Sequence, residues 1–205
     1  MSRYIERFTT KERVLHWFVT VTFFTLLLSG LGLYSRLFNG YFNLFGGGSN
    51  AILVHKIAGV LFFISSILLF VMNASAVTTF DDDDRLWFKK MGGYLSRKEE
   101  HLQVGRFNPG QKLFALFTGV ATIVLGITGV FIWGPQFFPR WLVQMSLMLH
   151  GLMFVGAAMF VVVHLYLATI GNPGTIGAML WGYVTRPWAR HHHPKWYREV
   201  TGERS

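Results

Sequence analysis

The chain has 205 residues, 52% of them hydrophobic and 14% charged, with a formal net charge of +9 and no cysteine. A soluble domain of this length needs more polar surface around its core, so the composition points to a membrane protein. Without cysteine the chain cannot hold disulfides, iron–sulfur clusters, thiolate metal sites or c-type haem, so any metal or haem must rest on His, Met or carboxylates. Its basic residues flank apolar segments instead of forming one patch, which favours a bilayer and argues against nucleic acid as a partner.

A hydrocarbon core of about 30 Å takes about 20 apolar residues as a helix. Four segments qualify, roughly residues 14–34, 51–76, 112–133 and 142–171. The opening "MSRYIERFTTKERVLHWF" is too charged for a signal peptide and runs into a span-length apolar stretch, so the first helix is expected to stay. A polar loop, 77–111, separates the second and third spans, and a tail, 172–205, follows the fourth. The expectation is an all-α membrane protein: a four-transmembrane-helix bundle forming a single domain over residues 1–205. Of the 19 Lys and Arg residues, only Arg36, Lys56 and Arg140 fall on one side of the spans. Because cytoplasmic flanks are enriched in Lys and Arg, both termini are expected to be cytoplasmic.

Four histidines lie within the spans. His16 is near the start of the first, His55 near the start of the second, His150 early in the fourth and His164 late in it. Alternating helix direction puts His16 at the depth of His164, and His55 at the depth of His150. Fourteen helical residues rise roughly 21 Å and leave the two side chains about 40° apart, so His150 and His164 face one way at two levels. Two stacked bis-histidine haems need that arrangement, with neutral imidazoles closing each iron for electron transfer. Each ligand is expected to donate its other ring N–H to a carbonyl or hydroxyl. Gly59, Gly151, Gly156, Ala157 and Ala158 leave room for a flat macrocycle, while Gly119, Gly126 and Gly129 suit helix packing. The competing reading is that each His only hydrogen-bonds across the bundle, which predicts no matching of depths.

The stretches "RFTTKERVLHWFVT" (7–20), "VHK" (54–56) and "GRFNPGQK" (105–112), with the two histidines of the fourth span, carry a family resemblance over nearly the whole chain. Together they resemble the cytochrome b (gamma) subunit of membrane-bound formate dehydrogenases of the bacterial cytoplasmic (inner) membrane, and more distantly the b-type cytochromes of hydrogenases. The resemblance implies two haem b groups, with His16 and His164 on the cytoplasmic side and His55 and His150 on the outer side. It also implies a quinone site, for menaquinone, with Asn108 donating to a quinone carbonyl, Gly110 lining the pocket and His164 beside it. An Asn N–H suits that role, and Pro109–Gly110 forms a turn that a ligand can approach closely. The alternative is that Asn108–Gln111 is only a turn and cap opening the third helix.

The resemblance further implies partners. Formate is oxidised on a molybdenum or tungsten pterin alpha subunit, and an iron–sulfur beta subunit passes electrons through the two haems to quinone, as in anaerobic respiration. The chain would then be the quinone-reducing electron-transfer subunit of an enzyme complex. The same wiring could serve a nickel–iron hydrogenase or another periplasmic dehydrogenase. A His-lined transporter would place carboxylates in its spans, and these spans hold none. A purely structural anchor explains the spans but not the histidines. Asp81–Asp84 reads as a solvated loop or subunit contact rather than a cation site, and His191–His193 as a tail contact rather than a metal tract. His101 reads as solvated. Arg13, Lys56 and Lys112 sit at span edges, where they can meet haem propionates or snorkel.

Overall fold

The computed structural model describes residues 3–93 and 102–203. The expected solvation of His101, and the basic residues Arg97, Lys98 and Arg204, lie outside those residues. In chain order the elements are β1 (Tyr4–Glu6), α1 (Thr10–Tyr34), a 3-10 segment (Arg36–Phe45), α2 (Gly48–Thr78), α3 (Asp82–Lys89), α4 (Pro109–Trp133), α5 (Arg140–Thr169), α6 (Ile176–Leu180), β2 (Tyr183–Thr185), α7 (Arg186–His192) and α8 (Pro194–Thr201).

Among the described residues α1, α2, α4 and α5 are long and apolar enough to cross a membrane, as the sequence led us to expect. They have 25, 31, 25 and 30 residues, and at about 1.5 Å per residue each exceeds a hydrocarbon core of about 30 Å. Within their most apolar stretches only 6% to 17% of residues are buried inside the chain. That much bare apolar surface is stable only under lipid or another apolar partner. In α1 the hydroxyls of Thr20, Thr22, Thr25 and Ser29 are satisfied locally, each donating to the carbonyl four residues back at 2.7–2.9 Å. Gly46 and Gly47 end the 3-10 segment with φ of 78° and 110°, a left-handed region that glycine enters without strain.

The chain divides into two compact units. One comprises residues 14–71 and 118–165, the central lengths of the four long helices. Its helices pack through glycines against aromatic rings: a Cβ on Gly126 would lie 2.6 Å from the Phe63 ring, and one on Gly119 would lie 3.3 Å from Phe70. Packing is therefore the role of both glycines, as expected. Lys56 holds its ammonium 5.1 Å from the centre of the Trp133 ring, a cation–π contact.

The other unit comprises residues 1–13, 72–117 and 166–205. β1 pairs antiparallel with β2, Ile5 opposite Val184, which ties the N-terminus to the tail. Ala178, Val184, Ala189, Trp196 and Tyr197 form its core, with Ile5, Phe8 and Trp188 packed against them. Arg7 is 4% exposed and lies 4.4 Å over the Trp196 ring. It donates to the Arg106 carbonyl and to His193 Nε2. His193 in turn donates from Nδ1 to the Gly105 carbonyl at 2.7 Å, which fixes its tautomer. Arg106 pairs with Glu12 at 2.6 Å, and Glu12 completes a reciprocal cap with Thr9 at the start of α1.

The acidic run is not a solvated loop. Asp81 and Asp84 form a reciprocal cap at the start of α3, each accepting the other's backbone N–H at 3.0 Å. Asp84 also pairs with Lys112 at 2.5 Å, both nearly buried, while the Lys112 ammonium donates to the Thr79 carbonyl. Lys195 bridges Asp81 and Asp83 at 2.6 and 2.9 Å. The acids thus fasten α3 to α4 and to the tail. His193 of the histidine run is likewise internal, 2% exposed.

Two outcomes follow. Asp84→Ala leaves the Lys112 ammonium buried and unpaired, a loss of about 3–5 kcal/mol. A lower unfolding midpoint in detergent and faster proteolysis within 77–93 are expected, and unchanged values for both would show the pair to be dispensable. Burial, with Arg7 close by, pushes the His193 pKa down to about 3. Between pH 6.5 and 3 the unfolded chain therefore binds a proton that the folded chain does not, so stability falls as pH falls through that window. His193→Asn should flatten the dependence in a pH series of thermal melts.

Candidate haem-binding site

The histidines of the central unit meet in two pairs. His16 on α1 faces His164 on α5 with ring centres 6.3 Å apart, and His55 on α2 faces His150 on α5 at 6.5 Å. All four side chains are half-buried. The pairing is the one that depth alone required, and the fourteen-residue spacing on α5 lets one helix serve both pairs.

The distances have a direct chemical meaning. A metal–imidazole bond is about 2 Å and the ring centre lies about 1 Å further, so two imidazoles on opposite sides of one metal have centres about 6 Å apart. Imidazoles hydrogen-bonded to each other would be closer. Among the described residues there is no group of three or more His, Cys, Asp or Glu that could close a metal site from protein atoms alone. Each pair supplies two nitrogens only. That number suits a haem, whose macrocycle would supply the remaining donors.

Glycines border two of the rings. A Cβ on Gly30 would lie 3.4 Å from His55 and 3.6 Å from Phe154, and one on Gly129 would lie 3.6 Å from His150. Gly129, expected only to pack helices, therefore borders a histidine. Gly151 faces Tyr34, and Gly59 faces Leu26.

Two polar residues absent from the sequence reading complete the His55–His150 pair. Ser29 Oγ lies 2.8 Å from His55 Nδ1, and Thr128 Oγ1 lies 2.9 Å from His150 Nδ1. Each hydroxyl also donates to the carbonyl four residues back, Ser29 to Thr25 at 2.7 Å and Thr128 to Val124 at 2.6 Å. A hydroxyl has one proton. When the hydroxyl donates to its carbonyl, the imidazole donates to it from Nδ1, and Nε2 then keeps the lone pair that a metal needs. Depth puts both residues at one level, Ser29 five residues from the end of α1 and Thr128 five from the end of α4, but does not say which ring each meets. His16 differs, since its Nδ1 has no partner among the described residues.

Asn108 and Gly110 share one turn of the other unit, at the start of α4. Asn108 Oδ1 accepts the Gln111 N–H at 2.8 Å while Gln111 returns the bond to the Asn108 N–H at 2.9 Å. Pro109 occupies the first helical position, where its missing N–H is harmless. The cap employs the carboxamide oxygen and leaves Nδ2 as the group able to donate to a ligand. A Cβ on Gly110 would lie 3.4 Å from the Trp87 ring, so the glycine keeps its backbone open beside an indole. His164, the third residue expected at a quinone, belongs to the central unit.

Residues 7–182 match the family model described as prokaryotic cytochrome b561. The chain is 35% identical over 199 residues to the formate dehydrogenase cytochrome b556(fdo) subunit of Escherichia coli K12, covering 96% of this chain and 93% of that one. It is 31% identical to the nitrate-inducible formate dehydrogenase cytochrome b556(Fdn) subunit of the same strain, covering 97% and 93%. With the formate dehydrogenase cytochrome b556 subunit of Haemophilus influenzae it shares 28% over 95% and 83%. With four long apolar helices and a match across most of its length, the chain belongs to the prokaryotic cytochrome b561 family.

Proposed function

We propose that the chain is the dihaem cytochrome b subunit of a formate dehydrogenase, carrying electrons from an iron–sulfur partner across the membrane to quinone. The observation that carries this reading is the pair of imidazole pairs, each spaced for one metal. Formate as the electron source comes from the names of the relatives. In this reading His16 and His164 hold one haem b, and His55 and His150 hold the other. Haem b supplies one-electron chemistry when bound.

The chain's own residues do the remaining work. Each pair of histidines would hold a haem through two imidazole nitrogens, and a haem so held would be suited to electron transfer. The apolar helices exclude water, which keeps the two sites at different depths of a low-dielectric medium. Asn108 Nδ2 donates to a quinone carbonyl and strengthens that bond as charge develops there, with Gly110 lining the pocket. The basic flanks place both termini in the cytoplasm of a bacterial inner-membrane protein, with the His16–His164 site on that side. A molybdenum or tungsten pterin subunit oxidises formate on the opposite side. Electrons moving inward and protons consumed inside separate charge, worth about 2.3 kcal/mol per charge per 100 mV.

The deciding experiment is a reduced-minus-oxidised spectrum of the detergent-purified chain, with pyridine haemochrome to count haem. Two b haems per polypeptide are expected, and a folded preparation from haem-replete cells with none would overturn the reading. His164→Ala should remove one haem and stop quinone reduction, while the His55–His150 haem stays reducible from the partner. For the quinone site the informative variant is Asn108→Asp, which keeps the capping oxygen and deletes the amide donor. Both haems should remain while quinone reduction slows roughly tenfold, about the worth of one buried hydrogen bond. Unchanged quinone kinetics would reduce Asn108 to a helix cap.

A further inference from the structure

After α5 the chain does not turn polar at once. Tyr166, in the last turn of α5, and Ile170, just past it, are 54% and 75% exposed. Ile176, Leu180, Trp181 and Tyr183 are exposed in their turn, Trp181 at 70%. Ala178 and Val184 alternate with them and are buried in the core of their unit. α6 and β2 thus set one side against protein and leave an apolar, aromatic side bare, which needs a cover of its own. The segment is firmly placed. Arg13, in the first turn of α1, donates from Nε to the Met179 carbonyl at 3.2 Å and from Nη2 to the Leu180 carbonyl at 2.6 Å. The Gly182 carbonyl accepts the backbone N–H of Arg7 at 2.7 Å. Gly182 has a φ of 89°, and a Cβ there would lie 3.0 Å from the Phe8 carbonyl oxygen, so a side chain would hold the segment off.

Two features identify what covers the bare side. Along the chain it is continuous with surface suited to lipid: α5 leads into it, and Val14, the residue after Arg13, is 64% exposed and opens the apolar stretch of α1. Its composition is that of a membrane boundary, Trp and Tyr beside Lys11 and Arg13. By contrast, the exposed positions of α7 and α8 include Arg190, His191 and Glu199, with Val200 as a large apolar one. We infer that α6 and β2 form an interfacial anchor lying in the headgroup layer of the bilayer. Ile176, Leu180 and Trp181 meet the ends of the acyl chains, and Tyr183, opposite Glu6 in the β-ribbon, stays on the headgroup side with its hydroxyl wet. The partner is the lipid surface itself. The inference rests on the four spans and stands or falls independently of the haem reading. Its consequence is positional. Gly182 is bonded to Arg7, and Arg7 donates to the Arg106 carbonyl, two residues before Asn108. The anchor therefore ties to the membrane surface the same body that carries the turn opening α4.

The chain has no cysteine, so Ile176→Cys, Leu180→Cys and Glu199→Cys each supply one site for a nitroxide label. The test reconstitutes the full chain, carrying one label, in vesicles of phosphatidylethanolamine and phosphatidylglycerol. Collisions of the label with oxygen, which concentrates in lipid, are compared with collisions with a water-soluble nickel chelate. Labels at 176 and 180 should meet oxygen several-fold more often than the chelate, at a depth of about 5–10 Å, and the label at 199 should show the reverse. A second measurement needs no label. Trp181→Phe should lower the tryptophan emission that lipids brominated high on the acyl chain quench. Labels at 176 and 180 that meet the chelate as freely as the one at 199 would overturn the inference. So would labels shielded from both reagents, because protein and not lipid would then cover the face, and so would quenched emission that Trp181→Phe leaves unchanged.

Discussion

An imidazole inside an apolar helix has two ring nitrogens that both need partners, because no water is available to satisfy them. The central unit is arranged around that requirement. On the His55–His150 pair a hydroxyl takes one nitrogen of each ring and leaves the other facing across a gap wide enough for a metal. The hydroxyls are satisfied in turn by their own helices, so the chain of donors and acceptors ends on backbone carbonyls. Fourteen residues along α5, His164 meets His16 at a similar ring spacing, 6.3 Å. Gly30 borders the His55 ring and Gly129 the His150 ring.

The unit that holds both chain ends solves a different problem. It buries charge, and it does so in pairs and stacks. Arg7 is covered by Trp196 and satisfied on one side by the Arg106 carbonyl and His193. Lys112 reaches Asp84 and the Thr79 carbonyl. Breaking such a pair costs more than forming it gains, so these contacts act chiefly to specify which segments lie together. They join the N-terminus, the stretch before α4 and the tail into one body around a small apolar core.

Much of this was legible in the residues. The four long helices follow from apolar length; each starts two to four residues before its expected span because polar capping turns precede the apolar run, and α5 ends two residues before the expected end. Thr9–Glu12, Asp81–Asp84 and Asn108–Gln111 have the same three-residue spacing, and each forms a reciprocal cap. That spacing was the signal in the acidic run that pointed to a helix start and not to a loop. The histidine pairs were legible because helix direction alternates and depth is counted in residues. Ser29 and Thr128 were not singled out, since a hydroxyl in a span satisfies itself on the preceding turn and leaves no mark of a second partner.

The sequence by itself determined which segments are apolar, how long they run and at what depth each histidine lies, because all three depend only on local composition and a fixed helical rise. It could not decide which face of a helix meets which neighbour. Only the tertiary structure set Ser29 against His55, Thr128 against His150 and Lys112 against Asp84, each joining residues more than twenty positions apart. A hydrogen bond forms or fails within a few tenths of an ångström, and that margin is set by how whole helices pack.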